Sequence, residues 1–248
     1  MKKILFFFML AALALITMYT LSSCDGDDGN DHIPQVQTNG YENGHEWVNL
    51  GLPSGTKWAT CNIGADKHEA YGEYFAWGEI ETKSDYSWST YKYGKDDHLL
   101  TKYCAKSDYG KDGFTDNKTE LDLDDDVAHK QWGGSWHMPS KEQFSELQTN
   151  TTHEWITVNG ISGYKFIASN GKFIFLPAAG YQNHNSLYSA GIDGNYWSRT
   201  VNSDYPGYSF FMFFTSEGIG VNYYRRFYNG GLYAGYRNNG HAIRPVCF

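Results

Sequence analysis

The chain has 248 residues, of which 41% are hydrophobic, 17% aromatic and 19% charged. The aromatic share excludes an intrinsically disordered chain, which lacks large apolar side chains, and a helical bundle, which would need more Leu and Ala. The formal net charge of −8, without any long basic run, argues against nucleic acid as a partner. The length suits one globular domain of about 200 residues preceded by a leader.

The first segment predicts a lipoprotein signal. Two lysines precede an apolar run over residues 4–15, which is too short and too soon followed by polar residues for a retained transmembrane helix. The run leads to Leu-Ser-Ser-Cys ending at Cys24, which resembles a bacterial lipobox. Residues 1–23 are therefore expected to be removed and Cys24 to be lipidated, which anchors the protein to a membrane without spanning it. An ordinary cleaved signal with a coincidental cysteine is the alternative.

A polar tether is predicted over residues 24–44. It begins with four aspartates between residues 25 and 31 and contains nothing that could form a core. An acidic run directly after the lipidated cysteine resembles the surface-export signal of lipoproteins from Bacteroidetes-type bacteria, although a simple hydrophilic spacer is the alternative. We expect a lipid-anchored outer-membrane protein with its folded part, residues 45–248, exposed at the cell surface.

The first predicted elements of this domain are two strands and a helix. The strands, at residues 46–50 and 57–61, flank a turn-forming Pro-Ser-Gly sequence. The helix runs from Asp124 to about Gln131, because three successive aspartates suit a helix amino terminus and a Gly-Gly pair follows. A second helix is predicted after Ser140, since Ser140 and the Gln three residues later form a capping box.

The remaining predicted elements are strands. A hairpin is expected around the Asn-Gly pair at residues 170–171, and the aromatic run 208–214 suits a buried strand. Residues 243–247 form a last strand, in which Pro245 indicates an edge or bulge position. These elements predict an α+β fold of short strands, two helices and long loops.

Three cysteines follow Cys24 in the sequence. An exported protein meets an oxidising environment, so one disulfide and one remaining thiol are expected. We favour a bridge between Cys61 and Cys247, because the first and last strands of β-rich domains often pair, but Cys104 could equally be a partner. No two cysteines stand at zinc-ligand spacing, so no metal site is predicted from them.

A series of motifs runs in order along residues 46–248. They are Leu50-Gly-Leu-Pro-Ser-Gly-Thr-Lys-Trp58-Ala-Thr-Cys61, Tyr74-Phe-Ala-Trp-Gly-Glu79, Trp132-Gly-Gly-Ser-Trp136-His-Met-Pro-Ser140, Phe175-Leu-Pro-Ala-Ala-Gly-Tyr181, Tyr196-Trp-Ser198 and Ile243-Arg-Pro-Val246. With them the chain resembles the Fibrobacter succinogenes major paralogous domain, a family abundant in Bacteroidetes surface lipoproteins. His137 stands where the family usually has Arg, and is expected to be a packing or hydrogen-bonding residue.

The resemblance implies a C-type-lectin-like fold related to formylglycine-generating enzyme. In that fold the amino- and carboxy-terminal strands pair, which supports the bridge between Cys61 and Cys247. The oxidase relatives need two nearby cysteines in the carboxy-terminal half, whereas this chain has only Cys247 there. No GxSxG elbow, phosphate-binding loop or metal triad occurs either, so we expect a protein without catalytic residues or cofactor.

The carboxy-terminal part has the composition of a binding surface. Residues 181–241 contain 10 Tyr, 8 Asn and 6 Ser, and no Lys occurs after Lys172. Tyr gives contact area at low entropic cost, Arg anchors polar groups, and Asn and Ser adapt their hydrogen bonds. The segment also resembles the variable region of retroelement-diversified proteins. The alternative is that its aromatic residues fill a core, as expected for residues 208–214.

We predict ligand contact for Tyr, Trp, Asn and Arg residues of this segment, with solvent exposure expected over residues 222–229 and 233–238. The candidates are Tyr196, Trp197, Arg199, Tyr205, Asn222, Tyr223, Tyr224, Arg225, Arg226, Tyr228, Tyr233, Tyr236, Arg237 and Asn238.

The acidic cluster at residues 122–126 permits two interpretations. It could hold Ca²⁺, but it lacks the ligand arrangement and central Gly of an EF-hand. Helix capping on a solvated face is favoured, and no metal site is predicted.

Two functions remain. The favoured hypothesis is a non-catalytic, adhesin-like module that binds an extracellular glycan or protein through the carboxy-terminal loops. The alternative is a structural or assembly subunit of a cell-surface appendage or envelope complex.

Overall fold

The computed structural model describes residues 38–220 and 232–248, which form mostly β-structure with two α-helices. The α+β class expected from the sequence is confirmed as far as the content of strands and helices is concerned. All described residues belong to one compact unit. Within the described ranges, no helix is long and apolar enough to cross a membrane.

The first sheet joins the start of the domain to the end of the chain. Its order is β1 (Gly40–Glu42), β2 (His45–Asn49), β3 (Lys57–Ala59) and β13 (Val246–Cys247), all antiparallel. The fold thus begins at Gly40, inside the segment predicted as a tether. Gly40 lies against the ring of Trp47, where a larger side chain would clash. Of the strand predicted over residues 243–247, only Val246–Cys247 forms β13, which lies at the edge of this sheet.

Four short 3-10 helices and both α-helices follow. The 3-10 helices are Trp88–Thr90, Ser107–Tyr109, Lys111–Gly113 and Leu123–Asp125. Both predicted helices are present. The first is α1 (Val127–Trp132), which begins three residues later than predicted and ends at Gly133 with φ 66°, and the second is α2 (Lys141–Asn150). In α2 the Ser140 hydroxyl accepts from the Gln143 amide at 3.2 Å, and the Gln143 side chain accepts from the Ser140 amide at 2.8 Å.

The next two sheets are built from consecutive strands. The three-stranded sheet has the order β4 (Thr151–Val158), β5 (Ile161–Ala168) and β6 (Phe173–Pro177), and the Asn170-Gly171 hairpin joins its last two strands as predicted. A two-stranded hairpin of β7 (Tyr181–Asn183) and β8 (Ser186–Tyr188) comes next.

The last sheet is centred on β10 (Tyr208–Thr215), the predicted aromatic strand. On one edge β10 pairs with β9 (Asp193–Val201); on the other it pairs with β11 (Gly218–Ile219) and β12 (Leu232–Tyr236). Phe211, Met212 and Phe214 are buried, which confirms that this run belongs to the core. The buried faces of β9 and β10 separate two hydrophobic clusters, one rich in aliphatic residues and one rich in Trp and Tyr.

The final residues of the chain tie these sheets together. His241 pairs with Phe75, Ala242 with Tyr196, and Val246 with His137. Arg244 is completely buried, and its guanidinium donates to Asn62 Oδ1 at 2.8 Å and to three backbone carbonyls at 2.8–3.2 Å. The charge is thus solvated mainly by the backbone, and no carboxylate among the described residues is hydrogen-bonded to it.

Candidate functional site

Two predicted ligand-contacting residues on β9 lie in the core. Tyr196 and Trp197 have no exposed surface. The Tyr196 hydroxyl donates to the Pro177 carbonyl at 2.7 Å, and the Trp197 indole donates to the Phe75 carbonyl at 3.0 Å. Because their polar atoms are already bonded inside the protein, the prediction that they contact a ligand is wrong for both.

Arg237 and Asn238 are also buried, contrary to prediction. The Arg237 guanidinium lies 4.7 Å from the Trp77 ring and contacts the rings of Tyr91 and Tyr103. It donates to the Tyr91 hydroxyl at 3.0 Å and to three backbone carbonyls. Asn238 donates to the Tyr86 carbonyl at 2.7 Å. Arg237 therefore organises the aromatic cluster instead of projecting from a loop.

The other predicted residues divide into three groups. Six of them, Asn222, Tyr223, Tyr224, Arg225, Arg226 and Tyr228, lie outside the described residues. Arg199 lies 3.1 Å from the Glu120 carboxylate and Tyr233 donates to the Gly220 carbonyl at 2.7 Å, so internal contacts occupy both side chains in part. Tyr205 and Tyr236 are 40% and 41% exposed, which confirms the exposure predicted for Tyr236.

Tyr236 belongs to a group of surface rings that we call the aromatic platform, formed by the exposed Tyr236 and the half-buried Trp88 and Tyr208. The Tyr236 ring stacks on Tyr208 with centroids 4.4 Å apart, and meets the Trp88 ring edge-on at 6.0 Å. Tyr208 and Tyr236 are partners in the β10–β12 register, so the sheet itself aligns their rings. Nothing in the sequence indicated Trp88, because this residue lies in a short 3-10 helix far along the chain from the carboxy-terminal tyrosines.

The platform rests on the Arg237 cluster. Trp88 packs edge-on against Tyr91 at 5.3 Å. The Tyr91 hydroxyl donates to the Trp77 carbonyl at 2.7 Å and accepts from Arg237. Buried hydrogen bonds therefore hold the residue beneath the platform in one orientation, and this preorganises the surface rings.

The polar groups of the platform are two phenolic hydroxyls and the indole N–H of Trp88. Burial raises the pKa of the Tyr208 hydroxyl, and the hydrogen bond to the Tyr236 hydroxyl and the nearby Asp97 charge raise that pKa further. Tyr208 consequently stays protonated at neutral pH. Next to the turn into β10, Lys106 lies 5.9 Å from the Tyr205 ring and 3.3 Å from Asp204.

The acidic cluster is a structural element. Asp126 caps α1 by accepting from the amides of Ala128 and His129, as predicted. Burial raises the pKa of Asp126 to about 6, against the effect of its amide donors. Contrary to the expectation of a solvated face, Asp126 is buried, and so is Asp125. No group of His, Cys, Asp or Glu within the described ranges is arranged to hold a metal ion.

Asp125 is bonded to aromatic hydroxyls and a lysine. It accepts from Tyr93, from Tyr103 at 2.6 Å and from Lys102 at 2.5 Å. Burial alone would raise the pKa of this carboxyl, but these donors outweigh burial and hold the pKa at about 2. The carboxylate thus links the loop around residue 102 to the start of α1.

The predicted disulfide between Cys61 and Cys247 is not formed, and Cys61, Cys104 and Cys247 are all free thiols. The strand register gives the reason. Cys247 pairs with Lys57, four residues before Cys61, which corresponds to roughly 13 Å along a strand. The terminal strands do pair, but the cysteines lie at different levels of the ladder.

Two open polar clefts lie elsewhere on the surface. One, of about 370 Å³, is lined by Gly72, Glu73, Tyr74, Thr82, Lys83, Ser84, Tyr86, Gln182 and Asn185. The other, of about 460 Å³, is lined by Thr38, Glu46, Thr60, Cys61, Asp66, Lys67, His68, Glu69 and Asn159. Burial raises the pKa of the Cys61 thiol, with a smaller opposing effect of Arg244, so Cys61 lacks the lowered pKa of a nucleophilic cysteine.

His137 has the packing role expected from the sequence. It is buried, its Nδ1 lies 2.9 Å from the Ser135 carbonyl oxygen, and its ring stacks on Phe248 at 5.2 Å.

Comparison of the chain with protein-family models, curated proteins and solved structures gave no match. The residues themselves therefore carry the functional argument.

Proposed function

We propose that this protein is a non-catalytic, surface-anchored module that binds an extracellular glycan through the aromatic platform. The single observation that carries the proposal is the stack of the exposed Tyr236 ring on the half-buried Tyr208 ring, beside Trp88. Aromatic faces pack against the apolar C–H faces of sugar rings, while phenolic hydroxyls at the ring edges bond to sugar hydroxyls.

The rigidity of the platform supports a binding role, as opposed to aromatic rings that lie at the surface without a function. Its rings stand on a paired β-strand and on the Arg237 cluster, so few side-chain rotamers remain to be ordered when a ligand binds. Neutral hydroxyls also suit a neutral glycan better than a charged partner. Lys106 and Asp204, beside Tyr205, pair with each other at 3.3 Å and so leave little net charge there.

The proposal extends to the fold family and the location of the protein. The family motifs and the Leu-Ser-Ser-Cys sequence support a C-type-lectin-like domain on a lipid anchor at Cys24. The antiparallel pairing of β13 with β3, near the two ends of the domain, is consistent with that fold.

A glycan and mucin array with the full chain, run with and without a metal chelator, tests the function. We expect binding to a restricted set of glycans that survives chelation, since the platform contains no metal ligands. The same array with Trp88→Ala should lose these signals. Absence of selective binding, or equal signals from the Trp88→Ala protein, would contradict the proposal.

A further inference from the structure

The β7–β8 hairpin presents an uncharged, partly apolar strand to solvent. All three residues of β8 are exposed. Leu187 and Tyr188 are 44% and 47% exposed, and nearby Ile192 is 65% exposed. The segment 181–192 contains no Asp, Glu, Lys or Arg, in a chain of which 19% is charged.

The main chain of this hairpin is satisfied on one side only. In β7, Gln182 exchanges both of its main-chain hydrogen bonds with Gly240, at 2.7 and 2.9 Å. Leu187 lies directly opposite Gln182 in the antiparallel ladder. Because the main-chain groups of Gln182 point to Gly240, Gln182 and Leu187 form a non-hydrogen-bonded pair of the ladder. In such a pair the main-chain groups of the two residues point away from each other, so the N–H and C=O of Leu187 face outward. Within the described ranges, nothing bonds to them.

Two other edge strands of the molecule, β4 and β1, carry charges of the kind that discourage strand addition. β4, at the edge of its sheet, carries Glu154, which pairs with Lys165 at 3.2 Å. β1, at the edge of the first sheet, ends at Glu42. Proteins commonly use such charges to keep edges from pairing with other chains. β8 has none.

We propose that β8 pairs with β8 of a second copy of this chain, antiparallel about a two-fold axis at Leu187. In this register Leu187 and the partner's Leu187 exchange both main-chain hydrogen bonds, and the two hairpins join into a four-stranded sheet. The side chains of Tyr188 and Ile192 lose exposed apolar area at the same time. This association goes beyond glycan binding and uses a different surface.

The net charge of the molecule favours a second copy of this chain as the partner of β8. With a net charge of −8, most faces of this molecule would meet like charges when placed against themselves. A neutral strand is free of that repulsion, and the two-fold register places only uncharged side chains across the new ladder. Isologous pairing of one patch with itself is also the commonest geometry of homodimers.

Sedimentation equilibrium of the full chain in mild detergent tests the proposal. The wild type should show a concentration-dependent mass that approaches two chains. Leu187→Asp should raise the dimer dissociation constant by roughly 100-fold, since it sets two carboxylates against each other. Leu99→Asp is the matched control, because Leu99 is 42% exposed elsewhere, and it should dimerise like the wild type.

Cysteine cross-linking tests the register in which the two β8 strands pair. Opposed residues that exchange both hydrogen bonds lie about 5.5 Å apart at Cα, within the range of a disulfide. Leu187→Cys should therefore give a covalent dimer under mild oxidation, and Leu99→Cys should not. A wild type with the mass of one chain at every concentration would overturn the proposal. Equal cross-linking of the two variants would also overturn it, as would a complex of fixed stoichiometry with another protein that covers Leu187.

Discussion

Among single residues, the two buried arginines contribute most to the architecture. Arg237 and Arg244 both lie at 0% exposure with their donors on backbone carbonyls and uncharged side chains. Such a charge is stable only while every donor is satisfied, since an unpaired buried polar group costs about 1–3 kcal/mol. The two side chains consequently fix the loops whose carbonyls they bind.

Replacing Arg237 by Ala should destabilise the domain by about 4 kcal/mol, because three carbonyls and the Tyr91 hydroxyl lose a donor and the aromatic cluster loses its centre. Urea unfolding followed by Trp fluorescence measures this change. Arg199→Ala is the control, since the Arg199 side chain is 28% exposed and pairs with Glu120 at the surface. Its cost should stay below about 1 kcal/mol. Equal losses in both variants would contradict the role assigned to Arg237.

Asp125 should make stability depend on acid pH. Its pKa in the folded protein is about 2, below the value of about 4 in an unfolded chain. A lowered pKa stabilises the fold above pH 4, and this stabilisation disappears as the pH falls from 4 towards 2. The difference in unfolding free energy between wild type and Asp125→Asn should therefore shrink by roughly 2 kcal/mol between pH 5 and pH 2.

Urea titrations at several pH values measure that difference. Asp124→Asn is the matched control, because the Asp124 side chain is 90% exposed, and its difference from wild type should vary little over the same interval. A wild type minus Asp125→Asn difference that is constant with pH would show that Asp125 does not have a lowered pKa.

At the scale of elements, local sequence signals predicted the helices, the hairpin and the buried strand. Contacts between distant parts of the chain determined side-chain burial and strand register. The capping box of α2, the Asn-Gly hairpin and the buried strand β10 could all be read from adjacent residues. The burial of Arg237 could not, because the rings that surround it come from residues 77, 91 and 103. Likewise, the strand register that separates Cys61 from Cys247 has no signature in the sequence.

The cap of α2 gives a prediction at this scale. Ser140→Ala should cost about 1 kcal/mol, because the Gln143 amide loses its acceptor at a buried position. Ser145→Ala, inside the same helix, removes a hydroxyl that caps nothing and should change stability by less than about 0.5 kcal/mol. Thermal unfolding of the two variants makes the comparison; a larger loss in Ser145→Ala would contradict the capping argument.

Across the whole molecule, the candidate site comes from segments that are distant in sequence. Trp88 lies in a short 3-10 helix, and Tyr208 and Tyr236 lie on paired strands of the last sheet. Composition indicated the carboxy-terminal tyrosines but gave no way to separate Tyr236, which is exposed, from Tyr196, which is buried. Burial depends on which face of a strand meets the core, and here both faces of β9 are largely covered.

Calorimetric titration of Tyr236→Ala tests most directly whether the aromatic platform binds a glycan. The titrant is the strongest glycan from the array, and the control is Tyr41→Ala, which removes a tyrosine that is 66% exposed on β1. We predict that Tyr236→Ala weakens binding by about tenfold or more, with little change in melting temperature, while Tyr41→Ala binds like the wild type. Unchanged affinity in Tyr236→Ala, or an equal loss in Tyr41→Ala, would contradict the account.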